Sequence, residues 1–295
     1  MQTQNNEPKK DYRQLRQDYP IFTYADMNTS IKPKSATLVD YIYTYTYRIN
    51  GLDEFHHCVT FHDVDAFNLR FQHPQLFTTL GYHLGLIEAF SYWKLTVSPT
   101  FHLSSIQLHQ AQLDFWHDLL MGGMSEYFYV NDIDFTPADF VKFTCGLIPT
   151  YGVKKVIFPS KKRHSLVCLG GGKDSAVMLS LLTRAHEHFT NLIAKPSSPA
   201  ADKQAGLSGH ETAYFTREFD PKLKHYNQQG FLNGHVPFSA SIAFASVLAA
   251  VLHCANYCLV GNESSADEDS LTWHDHKINH QYSKSTKFEQ AFQNY

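Results

Sequence analysis

"CLGGGKDSAVMLSLL", residues 168–182, runs from an apolar segment into Gly170, Gly171 and Gly172, then Lys173, Asp174 and Ser175, and then a second apolar segment. Residues 165–169 have the length and composition of a buried parallel strand, and residues 176–182 continue as a mostly apolar helix. Glycines between a strand and a helix can serve only a tight turn, because they tolerate positive φ. The order strand, glycine loop, helix start also builds an anion site, since unpaired backbone N–H groups and the positive end of the helix dipole converge on one point.

Two common phosphate loops fail here. The pattern G-x-x-x-x-G-K-S/T needs glycine where the chain has Val167, and Ser or Thr where it has Asp174. The dinucleotide pattern G-x-G-x-x-G needs its third glycine at Ser175 or beyond. The stretch instead resembles the pyrophosphate loop S-G-G-x-D-S of the ATP pyrophosphatase (PP-loop) superfamily, with Gly170 in place of the first serine. That resemblance implies that residues 170–175 hold the β- and γ-phosphates of ATP, which is split between its α- and β-phosphates to adenylate a substrate.

The 295 residues allow one large or two smaller domains, and 43% hydrophobic with 14% aromatic content is ample for a core. A net charge of −3 gives no support to nucleic-acid binding. The basic cluster Lys154, Lys155, Lys161, Lys162 and Arg163 reads as a solvated loop. Cys58, Cys145, Cys168, Cys254 and Cys258 form no C-x-x-C pair, so buried free thiols in a reducing, cytoplasmic setting are expected. The N-terminus lacks the apolar core of a secretory signal. The longest uncharged apolar segment, residues 240–252, falls short of the roughly 20 residues that span a bilayer, so no membrane partner is expected.

Residues 1–20 read as a disordered or loosely attached tail, residues 21–160 as a smaller α+β domain, and residues 161–295 as the ATP-binding domain. In the second part, residues 38–61 form two strands about the turn Asn50-Gly51, and residues 76–94 and 107–120 form helices. After residue 164, strands at 165–169, 191–194 and 257–260 alternate with helices at 176–186 and 240–252, the pattern of an α/β fold with an open parallel sheet and crossover helices. Residues 195–212, rich in Pro, Ser, Gly and Ala, read as a loop or partly disordered insertion. Ligands of such sheets bind beyond the C-terminal strand ends, so the glycine loop and Gly261-Asn262-Glu263 should face one crevice.

The stretches "YHLGLIEAFSYWK" (82–94), "FDPKLKHYNQQGFLNGHVPFSA" (219–240), "GNESSADEDS" (261–270) and "INHQYSKSTKFE" (278–289) follow in order around the glycine loop. Together they resemble the bacterial UDP-N-acetylmuramoyl-L-alanyl-L-glutamate epimerase family. The resemblance implies ATP- and magnesium-dependent inversion of the terminal L-glutamate of a UDP-muramoyl dipeptide, a peptidoglycan precursor. Two departures stand out. The family usually reads N-E-R-S-A-N where this chain has Ser264 in place of the arginine, and family members continue well beyond the N-H-Q-x-S-K-S motif, whereas this chain stops at Tyr295. The expectation is a fragment, or a form whose C-terminal part is lost or separate.

The chemistry explains the motifs. The α-proton of glutamate is hard to remove because the carbanion would form beside a carboxylate already negative. Adenylation removes that charge, which lets a base take the proton on one face and an acid return it on the other. The carboxylates read as magnesium ligands are Asp174 and Glu263, since magnesium takes oxygen ligands shared with phosphates. Asp174 could equally cap the helix beside it, and Glu263 could be a solvated loop acid. Acid/base candidates are His235 in "NGHVP" and His280, Tyr282 and Lys284 in "NHQYSKS". Lys284 is also a phosphate or carboxylate ligand, and Ser283 and Ser285 on either side of it, with Asn262, complete the nucleotide contacts. Glu88, Trp93 and Lys94 recur in the family pattern, and Trp93 reads as core. Glutamyl epimerisation is the leading expectation; the rivals are another adenylating enzyme, such as an amide ligase or a tRNA-modifying one, and a catalytically dead nucleotide-binding remnant.

Overall fold

The alternation Tyr-Ile-Tyr-Thr-Tyr-Thr-Tyr over residues 41–47 dictates a strand with one aromatic face, and aromatic faces of this size must be covered. In the computed structural model, residues 7–69, 74–146 and 164–295 are described. The elements are α1 (Tyr12–Asp18), β1 (Ile21–Pro33), β2 (Leu38–Ile49), β3 (Asp53–Asp65), α2 (Ala66–Leu69), α3 (Pro74–Trp93), β4 (Thr100–Leu103), α4 (Gln110–Gly123), α5 (Ser125–Val130) and β5 (Lys142–Cys145). They continue with β6 (Ser165–Cys168), α6 (Lys173–Arg184), β7 (Phe189–Lys195), α7 (Pro199–Ser208), β8 (Thr212–Glu218), α8 (Pro221–Gln228), α9 (Phe238–Leu252), β9 (Tyr257–Leu259), β10 (Leu271–Trp273), β11 (His276–Ile278) and α10 (Thr286–Asn294).

Among the described residues the strands form a nine-stranded sheet in the order β5-β4-β1-β2-β3-β8-β7-β6-β9, with β10 and β11 as a separate hairpin. The expected parallel sheet is present as β8, β7, β6 and β9, each neighbour parallel. It is not a self-standing sheet, because β8 also pairs antiparallel with β3, from Cys58 against Glu218 to His62 against Tyr214. Through that pair it continues into β1, β2 and β3, which are antiparallel, and β4 and β5, which add in parallel, so the whole sheet is mixed. The expected boundary near residue 160 and the basic cluster at 154–163 lie outside the described residues.

The two ends of the sheet are covered differently. In β6, Leu166 and Cys168 join the large core with Phe244, Ala245 and Leu248 of α9, while Val167 and, just past the strand, Leu169 join a second core with Leu179 of α6 and Ala201 and Ala205 of α7. Both faces are therefore buried, which is why residues 166–169 are apolar throughout rather than alternating. At the other end the buried tyrosines Tyr43, Tyr45 and Tyr47 stack at 6.3 Å between ring centroids, and α3 lies along that row.

Three expectations need correction. Residues 195–212 are not a plain loop: they hold α7, with Ser198 as N-cap, Pro199 opening the helix, and left-handed Gly209 ending it. The stretch 1–20 contains α1, anchored by buried Leu15 and by Arg16, whose guanidinium donates to Val97 O at 2.6 Å and Phe140 O at 2.5 Å. All five cysteines are free, but Cys168 alone is fully buried and Cys254 is exposed. Among the described residues no helix is long and apolar enough to cross a membrane.

The approach of α3 to the tyrosines depends on Gly81 and Gly85, one turn apart: a Cβ on Gly81 would enter the Tyr43 ring, and one on Gly85 would meet Tyr24 Oη and the Tyr45 ring. Tyr47 Oη donates to Gly85 O at 2.7 Å across the same contact. Gly85→Ala adds about 1 kcal/mol of helix propensity, yet it is expected to destabilise the fold by about 1–3 kcal/mol through overpacking. Urea unfolding followed by circular dichroism checks this: a midpoint that does not fall would mean that the helix rides further from the sheet.

Candidate functional site

Because β6, β7, β8 and β9 are parallel, their C-terminal ends share one edge, and the crevice between β6 and β9 is where successive connections depart to opposite sides. A cavity of 620 Å³ lies there. Its wall includes Gly170, Gly172, Asp174 and Ser175 after β6, Lys195 through Ser198 after β7, Arg217 and Phe219 at the end of β8, and Gly261 and Asn262 after β9. Phe238 and Ser239 from the start of α9, and Lys284, complete it.

The glycine loop is shaped by α7. Gly171 sits at φ +85°, and a Cβ there would collide with Ser198 Oγ and the Ala201 backbone, so no other residue fits. Gly170 and Gly172 differ: a Cβ on either would meet nothing within 4 Å. Ser198 Oγ donates to Gly170 O at 3.3 Å, Gln204 Nε2 donates to Gly172 O at 3.0 Å, and Gly170 N donates to Ser175 Oγ at 3.2 Å. Among the described residues no side chain caps α6, whose N-cap is Gly172. Its first-turn N–H groups and dipole thus lie at the cavity, where an anion would be stabilised.

The expected site residues divide into those gathered here and those placed elsewhere. Asp174, Asn262 and Lys284 join the glycine loop on the cavity wall. Lys173 and Glu263 pair at 2.6 Å at its rim, an exposed contact that lowers the Glu263 carboxyl and raises the Lys173 ammonium. Ser283 is buried, and Ser285 caps α10, accepting from Phe288 N at 3.2 Å and donating to Tyr282 O at 2.7 Å. Tyr282 packs against Gly122 of α4 away from the cavity, and burial pushes its hydroxyl up to about 12. His280 is exposed, with Nδ1 2.7 Å from Ser270 Oγ. His235 is half-buried with Nδ1 3.6 Å from Glu126; burial lowers its pKa, Glu126 opposes that, and the charges of His280 and Lys94 lower it further. Neither histidine is on the cavity wall.

The sequence reading missed Arg217. Its Nε lies 2.9 and 3.1 Å from the two oxygens of Glu88, and its Nη2 lies 2.6 Å from Oε2. Glu88 is 1% exposed; burial alone would raise its pKa, but Arg217 and His57 outweigh that and bring it down to about 2. His57 Nε2 is 3.2 Å from Glu88 Oε2 but makes no aligned hydrogen bond, so this is an electrostatic contact. Lys195 was missed as well; it holds Asp202 at 2.7 Å and Ser197 at 2.9 Å. The signal for both was their place at strand ends, and for Arg217 it was hidden because β8 had not been recognised.

The residues fit a magnesium-bound triphosphate. The loop offers open space at two glycines, an uncapped helix start and Lys284 on the cavity wall, with Asp174 as the carboxylate beside it. Among the described residues no three His, Cys, Asp or Glu side chains gather into a metal cage. Magnesium bound to phosphates needs only one or two protein carboxylates.

Lys94 is buried next to His235, and its ammonium donates to Gly234 O at 3.1 Å. Burial pulls its pKa down from 10.5 to about 8. Between those values the unfolded chain holds the proton and the folded protein does not, so this group's contribution to stability rises with pH. Lys94→Met should therefore gain on the wild type most at pH 7, and the gap should shrink by pH 10, as read from urea midpoints. A gap constant across that range would place the ammonium in contact with water.

The chain is similar to three curated proteins, each named UDP-N-acetyl-α-D-muramoyl-L-alanyl-L-glutamate epimerase. The protein of Xanthomonas oryzae pv. oryzae is 29% identical over 72% of this chain and 46% of its own length. That of Micromonospora sp. is 31% identical over 57% and 36%, and that of Salinispora tropica 35% identical over 43% and 28%. The matched region is thus less than half the length of each relative. No solved structure matches. Residues 14–295 match the family described as the MurL N-terminal domain, and the chain belongs to that family.

Proposed function

We propose that this chain is the nucleotide-binding part of an epimerase that inverts the terminal L-glutamate of a UDP-N-acetylmuramoyl-L-alanyl-L-glutamate precursor in the cytoplasm through a carboxyl adenylate. One observation carries the reading: the glycine loop, Asn262 and Lys284, far apart in sequence, line one cavity at the C-terminal edge of parallel strands. The names of the relatives supply the substrate.

In this reading the glycine loop and the start of α6 bind the β- and γ-phosphates, and Lys284 neutralises charge on the triphosphate. Magnesium, held by Asp174 and the phosphates, would shield the phosphate charge. The substrate carboxylate attacks the α-phosphorus, pyrophosphate leaves, and the mixed anhydride acidifies the α-carbon. A base removes the α-proton from one face, an acid returns one to the other, and water releases AMP and the D-epimer. His235, three residues before Phe238, and His280, four residues before Lys284, stand near these wall residues in sequence and serve as the acid/base candidates, with Glu126 3.6 Å from His235. Tyr282, turned into the packing against α4, is the weakest of the original candidates.

A second adenylating reaction, amide formation, is favoured by the same placement, because among the described residues no histidine lies on the cavity wall itself. The remnant reading rests on Gly170 and on Ser264 in place of an arginine; among the described residues the space beside Gly170 is open, so the phosphate path there is not blocked.

Incubation of the UDP-muramoyl dipeptide in heavy water should place deuterium on the glutamate α-carbon with ATP and magnesium present, and not without them. AMP and pyrophosphate should form, and Asp174→Ala should abolish both outcomes while leaving the circular dichroism unchanged. Exchange without ATP would replace the adenylate with a direct two-base racemisation. AMP formation without exchange would favour the ligase. Lys284→Ala should reduce AMP formation and exchange together, whereas His280→Ala should reduce exchange more than adenylation.

A further inference from the structure

An arginine whose charge is already neutralised by a buried carboxylate has no structural need to face a ligand cavity, yet Arg217 does. Its side chain is 12% exposed, and Glu88 takes one edge of the guanidinium, that of Nε and Nη2. Nη1 makes no hydrogen bond within the described residues, so the second edge, formed by Nη1 and the remaining Nη2 hydrogen, is open. The guanidinium carbon lies 4.9 Å from the Phe219 ring and 5.1 Å from the Phe238 ring, and both rings line the cavity. Apolar rings beside the charge keep water from its faces and strengthen whatever hydrogen bonds the open edge makes.

We propose that Arg217 is the specificity residue of the cavity, its open edge receiving the side-chain carboxylate of the substrate's terminal glutamate. The inference rests on the epimerase reading and names which group of that substrate the chain recognises. Geometry selects the class of ligand: two parallel N–H donors in a plane match a planar two-oxygen anion. Phosphate already has the glycine loop and the start of α6. Of the two glutamate carboxylates, the one on the α-carbon must attack phosphorus, and an oxygen tied into a guanidinium fork is a poor nucleophile. The side-chain carboxylate does not react and can be held. Because Glu88 fixes the other edge, the fork cannot swing aside, so a side-chain amide, which brings an N–H toward the N–H donors, leaves a buried donor unpaired.

Calorimetry on the 295-residue chain with ATP and magnesium tests this, using the UDP-muramoyl dipeptide ending in glutamate, in glutamine or in isoglutamine. The wild type should bind the glutamate form about tenfold or more tighter than the glutamine form. In Arg217→Lys, which keeps Glu88 paired but loses the fork, that preference should collapse toward unity, with ATP affinity and the preference over isoglutamine unchanged. The double variant Glu88→Gln with Arg217→Gln, which buries no charge, should behave likewise, and thermal melting confirms that each variant is folded. A preference over glutamine that survives in both variants overturns the proposal and leaves the epimerase reading standing. Loss of ATP affinity with the preference intact makes Arg217 a phosphate ligand and overturns it too. If the wild type binds ATP but none of the three peptides, the substrate reading and this proposal fall together.

Discussion

A carboxylate can be taken out of water only where a cation meets it, and the burial of Glu88 therefore decides how α3 lies against β8. Glu88 belongs to α3, Arg217 to β8 and His57 to β3, so the cluster spans both parts of the sheet at the one place where they are joined. The polar network extends outward from there. Tyr92 Oη accepts from Asp220 N at 3.0 Å and lies 3.3 Å from His57 Nδ1, while Asp220 caps α8 and accepts from His56 N at 2.9 Å. Desolvation offsets most of the attraction in such a pair, so its contribution lies in which elements meet rather than in net stability. Removing one partner alone would leave a buried charge at a cost of about 3–5 kcal/mol.

Around that junction the packing is apolar and close. The alanines and serines of α9 seat it against β6 and α3, and the glycines of α3 bring it onto the tyrosine row. The parallel strands are covered on both faces, so the open strand ends, where loops rather than helices meet, are where a cavity can form. Fold and site thus follow from the same arrangement: two covered faces and one polar edge.

Much of this was legible in the sequence. The alternating tyrosines marked β2, the glycine loop marked the β6 to α6 turn, and small apolar residues marked α9, because each is a local pattern whose period or punctuation needs no distant partner. What was not legible depended on distance. Lys173 and Glu263, 90 residues apart, pair with each other, and Arg217 finds Glu88 across 129 residues. The segment 195–212 failed for another reason. Its composition reads as loop, but Ser198, Pro199 and Gly209 are ordinary start and stop signals of a helix, and they carried the information that composition obscured. Ser285 was read as a ligand because it flanks Lys284, while its position just before α10 was the capping signal that its hydroxyl obeys.

The way α7 grips the glycine loop has a kinetic meaning. Phosphate loops that order only around their ligand spend part of the binding free energy on lost conformational entropy. Here Gly171 is wedged against Ser198 and Ala201, and the carbonyls of Gly170 and Gly172 are tied to Ser198 and Gln204, so contacts within the protein set the shape of the loop. In the proposed function, a triphosphate would bind a loop already shaped by α7, and its association rate would be set by diffusion and electrostatic attraction rather than by a folding step.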